Sequence, residues 1–90
     1  MKIQSTNARE AETTALSALG WILSDDGRAN RLLSLTGLTP DQMRARIGER
    51  PLLASALAFL EAHEPDLVAC ADALGVKPGR LVEARGMLER

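Results

Sequence analysis

The sequence predicts an all-α fold: a compact bundle of five to six short helices, organised as a pseudo-duplicated three-helix unit with helix-turn-helix-like pairs. Three observations carry this. Apolar residues recur at helical period along most of the chain. The core must be built from Ala and Leu, because Trp21 and Phe59 are the only aromatic residues and neither β-branched nor aromatic runs are present. The stretch Leu35-Thr36-Gly37-Leu38-Thr39-Pro40 is echoed by Leu74-Gly75-Val76-Lys77-Pro78. Each closes an apolar run with glycine and opens the next on proline, the punctuation of two helices joined by a tight turn.

Taken in order, residues 1–6 are expected to be a flexible terminus, with residues 7–90 forming a single helical domain. Asn7 and Glu10 have capping-box spacing and are expected to start the first helix. Ala8, Ala11, Ala15, Leu19 and Ile22 form its apolar stripe. From Ala15 to Leu23 the segment is apolar on nearly every side, as suits a central helix with several neighbours. Gly20 inside that run implies a close neighbour that needs the room. Ser24-Asp25-Asp26-Gly27 ends the helix, and Asp25 or Asp26 caps the second. The second helix reaches about Leu35 and is expected to bury Leu32, Leu33 and Leu35.

Thr39-Pro40-Asp41-Gln42 is a capping box with proline at the first helical position. It opens a short third helix whose apolar residues are Met43 and Ile47 and which Gly48 closes. Pro51 opens the fourth, Leu52 to about Ala62, with Leu53, Leu57 and Leu60 on one side and Ala56 and Phe59 nearby. Pro65, flanked by Glu64 and Asp66, opens the fifth, where carboxylates suit the positive end of the helix dipole. It ends at Gly75. Pro78 opens the sixth, which buries Leu81, Ala84 and Leu88.

Gly37 and Gly75, Pro40 and Pro78, and Gly48 and Gly86 are each 38 positions apart. The same offset places Trp21 on Phe59 and Met43 on Leu81. This predicts pseudo-repeats over about 13–48 and 51–86.

Function is less legible than fold. The formal net charge of −1 supplies no bulk attraction to nucleic acid or an anionic membrane. No apolar run approaches the roughly 20 residues of a membrane span, and the polar, mixed-charge start resembles no targeting peptide. A cytoplasmic location is the resulting expectation. His63 is the only histidine and Cys70 the only cysteine, which leaves no ligand set for a metal. His63 is read as favouring the C-terminus of the fourth helix, and Cys70 as a buried, inert thiol. Asp25 and Asp26 are accounted for by capping. No catalytic residue, cofactor-binding residue or metal ligand is predicted, so the chain is expected not to be an enzyme.

Nor does the helix-turn-helix pattern lead to DNA. Outward positions of the last helix would be Lys77, Pro78, Gly79, Val82, Glu83 and Gly86, of which only Lys77 could hold a phosphate. In the earlier copy Arg44 is opposed by Asp41. Nucleic-acid binding is therefore the alternative, and an unknown protein partner or a homodimer the expectation. The residues assigned to that role are Trp21 and the arginines Arg28, Arg31, Arg44, Arg46 and Arg85, because arginine suits bidentate recognition and interfaces. Surface pairs such as Arg46–Glu49 and Arg85–Glu89 are the competing explanation.

The run from Ala18 to Arg28, then Arg31-Leu32-Leu33-Ser34-Leu35-Thr36-Gly37-Leu38, resembles a family of short bacterial proteins known from alphaproteobacteria and catalogued as a domain of unknown function. Leu57-Ala58-Phe59-Leu60 and His63-Glu64-Pro65-Asp66-Leu67 extend the resemblance over most of the chain. Asp26-Gly27-Arg28 departs from the proline-acidic-arginine common in that family. The resemblance implies no activity and no catalytic residues.

Overall fold

In the computed structural model, which describes the backbone of residues 2–90 and the side chains of 8–90, the chain folds into six α-helices. They are α1 (Lys2–Leu23), α2 (Asp26–Thr36), α3 (Pro40–Ala45), α4 (Arg50–Glu61), α5 (Glu64–Leu74) and α6 (Pro78–Leu88). α1 begins before the expected Asn7 start. The Asn7 side chain that would make the expected cap, and the side chains of the expected flexible terminus at residues 1–6, fall outside the described residues.

Three helices make the centre: α1, α4 and α6 pack against one another, α5 closes against α6, and α2 crosses the C-terminal end of α1. Ala11, Ala15, Ala18, Leu19 and Ile22 are buried on α1, and Leu81, Ala84 and Leu88 on α6. α4 supplies the most core, from Leu52 and Leu53 through Ala56, Leu57, Phe59 and Leu60. The alanines let helices approach closely, and each fully buried leucine contributes about 2 kcal/mol of apolar transfer energy.

The turns follow their residues. Asp25 caps α2, its Oδ2 accepting from the Arg28 backbone N–H at 2.9 Å. At α3 the capping box is complete: Gln42 N–H donates to Thr39 Oγ1 at 3.1 Å, and Thr39 N–H donates to Gln42 Oε1 at 2.9 Å. Gly37 and Gly75 both take left-handed backbone, φ 74° and 72°. Their hydrogen bonding differs. Gly37 N–H reaches back to Leu33 O alone, whereas Val76 N–H bonds Ala71 O and Gly75 N–H bonds Asp72 O, a full Schellman motif.

Helix limits shift by the 38-residue offset at several points: Leu23 and Glu61 end helices, Asp26 and Glu64 begin them, Thr36 and Leu74 end them, and Pro40 and Pro78 begin the next. The third helices diverge. α3 has 6 residues and α6 has 11, and α6 packs broadly on α1, α4 and α5 while α3 contributes Met43 as its buried residue.

Other expectations are corrected. Leu35 is 66% exposed rather than buried, and Leu33 is only partly buried. α3 stops at Ala45, after which Arg46 N–H and Ile47 N–H make tight-turn bonds to Met43 O and Arg44 O, so Ile47 lies outside the helix and is exposed. A Cβ on Gly20 would meet nothing within 4 Å; that glycine serves no close approach. His63 is the N-cap residue of α5, not a part of α4.

Candidate functional site

The residues singled out from the sequence fall into separate places. Trp21 and Arg28 meet at the α1–α2 corner. The Arg28 guanidinium carbon lies 3.6 Å from the Trp21 ring centroid, and its Nη2 donates to Trp21 O at 2.8 Å and Ser24 Oγ at 3.2 Å. The indole is therefore neither core nor a free anchor: arginine covers it. Arg31, one turn on, pairs with Asp66 at 3.1 Å and lies 5.5 Å from the Phe59 ring centroid, tying α2 to α5 and α4. Arg85 grips Glu61 with Nε and, at 3.0 Å, with Nη2, and reaches Glu89 at 2.9 Å. The Glu61 carboxylate holds the Arg85 guanidinium charged well beyond its ordinary range. Arg44 pairs with Asp41.

Arg46 is different. It is exposed, and among the described residues no carboxylate pairs with it. The expected Arg46–Glu49 pair does not form, although Arg85–Glu89 does. Instead Arg46 and Glu49 stand on one wall of a cleft of about 310 Å³. Pro51, Ser55 and Ala58, successive outward residues of α4, line its length; Leu35, Leu38 and Leu52 make it apolar. Beyond the same Pro51, Ser55 and Ala58 lies a second hollow of about 340 Å³, bounded by Ala54 and Leu88 and rimmed by Arg50 and Glu89. Those two rim charges have partners in the chain, Glu12 at 3.0 Å and Arg85. The two hollows adjoin along Pro51, Ser55 and Ala58 and together are termed the trough on the outer side of α4.

The trough exists for local reasons. Pro51 gives α4 a first turn with no N–H to satisfy on that side. Ser55 and Ala58 are too small to fill the space between α6 and the α2–α3 corner. The αL turn at Gly37 swings the chain away after Leu35, leaving no element over that side chain. Sequence reasoning named Arg46 but missed Leu35, Glu49, Ser55 and Ala58. The available signal was the break in the α4 pattern, where Ser55 and Ala58 stand opposite the leucine face.

The remaining groups offer little chemistry. Cys70 is fully buried, and burial pushes its thiol up to about 11, with the Arg28 charge opposing and the Asp66 charge adding to the rise. His63 is exposed and makes no side-chain cap bond. Among the described residues no three His, Cys, Asp or Glu side chains are grouped as metal ligands, and no helix is long and apolar enough to cross a membrane.

A family model described as protein of unknown function (DUF3572) matches residues 8–90. The chain belongs to this family. The match takes in α1 from residue 8 onward and all of α2 to α6, including the trough, the Trp21–Arg28 corner and the α5–α6 turn. No curated protein and no solved structure matches the chain.

Proposed function

We propose that this DUF3572 member is a non-enzymatic protein-interaction or adaptor domain, and that its contact surface is the trough along α4. The observation that carries the reading is Leu35. It is the most exposed large apolar side chain among the described residues, and it stands on the wall of an apolar cleft whose rim charges, Arg46 and Glu49, have no partner within the described chain. Exposed apolar area gathered at a concave surface with a polar rim has the anatomy of an interface. A cytoplasmic setting is part of the proposal and accords with a single cysteine kept as a thiol.

A helix-turn-helix nucleic-acid binder is the rival, and the Schellman turn at Gly75 is the observation in its favour. Against it, the outer face of α6 presents Val82, Glu83 and Gly86, and Arg80 leans toward Glu10 at 3.9 Å. That face offers phosphates no basic stripe.

A photo-crosslinking residue at Ser55, with a second at Val68 on the outer side of α5 as control, tests the reading in cells. A protein adduct from Ser55 and none from Val68 is expected. Adducts from Val68 alone, or sequence-specific retention of genomic fragments at moderate salt, would replace this reading with another.

A further inference from the structure

We infer that the occupant of the trough is a second copy of this chain, docked about a two-fold axis with Arg46 of each copy facing Glu49 of the other. The inference rests on the proposed interaction surface and commits it to one partner. A two-fold interface must be self-complementary, because one patch meets itself. This patch carries what that requires. Leu35 projects from it, and Ser55 and Ala58 provide a recess lined by small side chains. Its two unpaired charges are of opposite sign and stand three residues apart across a tight turn, where Glu49 N–H bonds Arg46 O at 2.9 Å.

The charge pattern argues against a strongly acidic or strongly basic occupant and suits a self-complementary one. A trough meant for an acidic or basic segment would carry an excess of one sign. Here the free rim charges sum to zero, and the charges at the far end, Arg50 and Glu89, are already paired inside the chain. Two-fold docking pairs Arg46 and Glu49 twice over, and it lets each Leu35 lie against Ser55 and Ala58 of the other copy. The failure of Arg46 and Glu49 to pair within one chain leaves both available for it.

Sedimentation of the purified full chain across a wide concentration range is the test, with circular dichroism confirming that each variant is folded. The expected weight-average mass rises from that of one 9.7 kDa chain toward twice that value. Leu35→Arg removes association. Arg46→Glu and Glu49→Arg each weaken it about tenfold or more, since either change places like charges in opposition. The double reversal Arg46→Glu/Glu49→Arg restores it, which only reciprocal pairing explains. A wild-type chain that stays monomeric throughout overturns the inference, as does a dimer indifferent to Leu35→Arg or one not rescued by the double reversal. The crosslinker at Ser55 separates the two levels: an adduct to a different protein overturns self-association and leaves the interaction reading standing, whereas a self-adduct of twice the chain mass supports both.

Discussion

The Arg28 guanidinium lies over the Trp21 ring and also donates to the Trp21 carbonyl, so one side chain closes the corner between the first two helices. α1 has no basic residue in its last turn. Arg28, reaching back from α2, supplies the positive charge that the carbonyl end of α1 favours, while its backbone N–H takes the Asp25 cap. The guanidinium faces the ring at 3.6 Å, within the range of a cation–π contact.

Arg28→Ala therefore uncovers the indole and removes the guanidinium from Trp21 O, while the Asp25 cap, made to the backbone N–H, stays in place. The expected result is a red-shifted Trp21 emission, greater quenching by acrylamide, and a stability loss of about 1–2 kcal/mol by urea unfolding. Trp21 is the only tryptophan, so the fluorescence reports this corner alone. Unchanged emission would mean that the ring is shielded by something other than Arg28.

Gly20 sits inside α1 with ordinary helical backbone, is exposed, and has open space where a Cβ would stand. Gly20→Ala is expected to stabilise the protein by about 1 kcal/mol. Gly37→Ala is its counterpart, since φ 74° disfavours any side chain, and it should cost about 1–2 kcal/mol. Thermal melts of the pair should move in opposite directions.

His63 has the extended backbone of an N-cap, φ −139° and ψ 93°, but no side-chain bond to the first turn of α5. A serine hydroxyl at that position can accept from the free N–H groups. His63→Ser is expected to raise stability by about 1 kcal/mol, read by urea unfolding at pH 8.

Cys70 should not react with a thiol reagent at pH 8 unless the protein unfolds, because its folded pKa of about 11 leaves little thiolate. The sign of the linked stability follows. The folded value lies above the ordinary 9.0, so the unfolded chain loses the proton first. The contribution is fully present below pH 9 and is lost as pH rises from about 9 toward about 11. Cys70→Ala should flatten stability across that window in urea melts recorded at several pH values.

The turns and most helix limits were legible because they are written in local chemistry, the start of α1 and the end of α3 excepted. Thr39 and Gln42 make their two reciprocal bonds, Gly37 and Gly75 take left-handed backbone, and Pro40, Pro51, Pro65 and Pro78 each stand in a first turn. The buried residues of α6, and those of α4 other than Leu52 and Ala54, followed from period. Leu35 did not. Period places it beside Leu32 on an apolar side of α2, but whether a neighbour covers it depends on where the chain goes after Gly37, which is a tertiary matter. Ile47 was misplaced for a related reason: α3 loosens into successive tight turns ahead of Pro51, so its stripe ends at Met43. The arginines read alike in the sequence and differ in the fold, since only the positions of Trp21, Asp66, Glu61 and Asp41 reveal which ones are already engaged. The trough is the product of those misses, being formed by Leu35, Glu49 and the small residues of α4.

The most direct measurement of the central claim is a dilution series followed by two-dimensional amide NMR on the uniformly labelled chain. The account predicts concentration-dependent shifts gathered at Leu35, Leu38, Arg46, Glu49, Ser55 and Ala58, with Val68 and Val82 unmoved. Shifts gathered instead on the outer faces of α5 and α6, with the α4 trough silent, would contradict it.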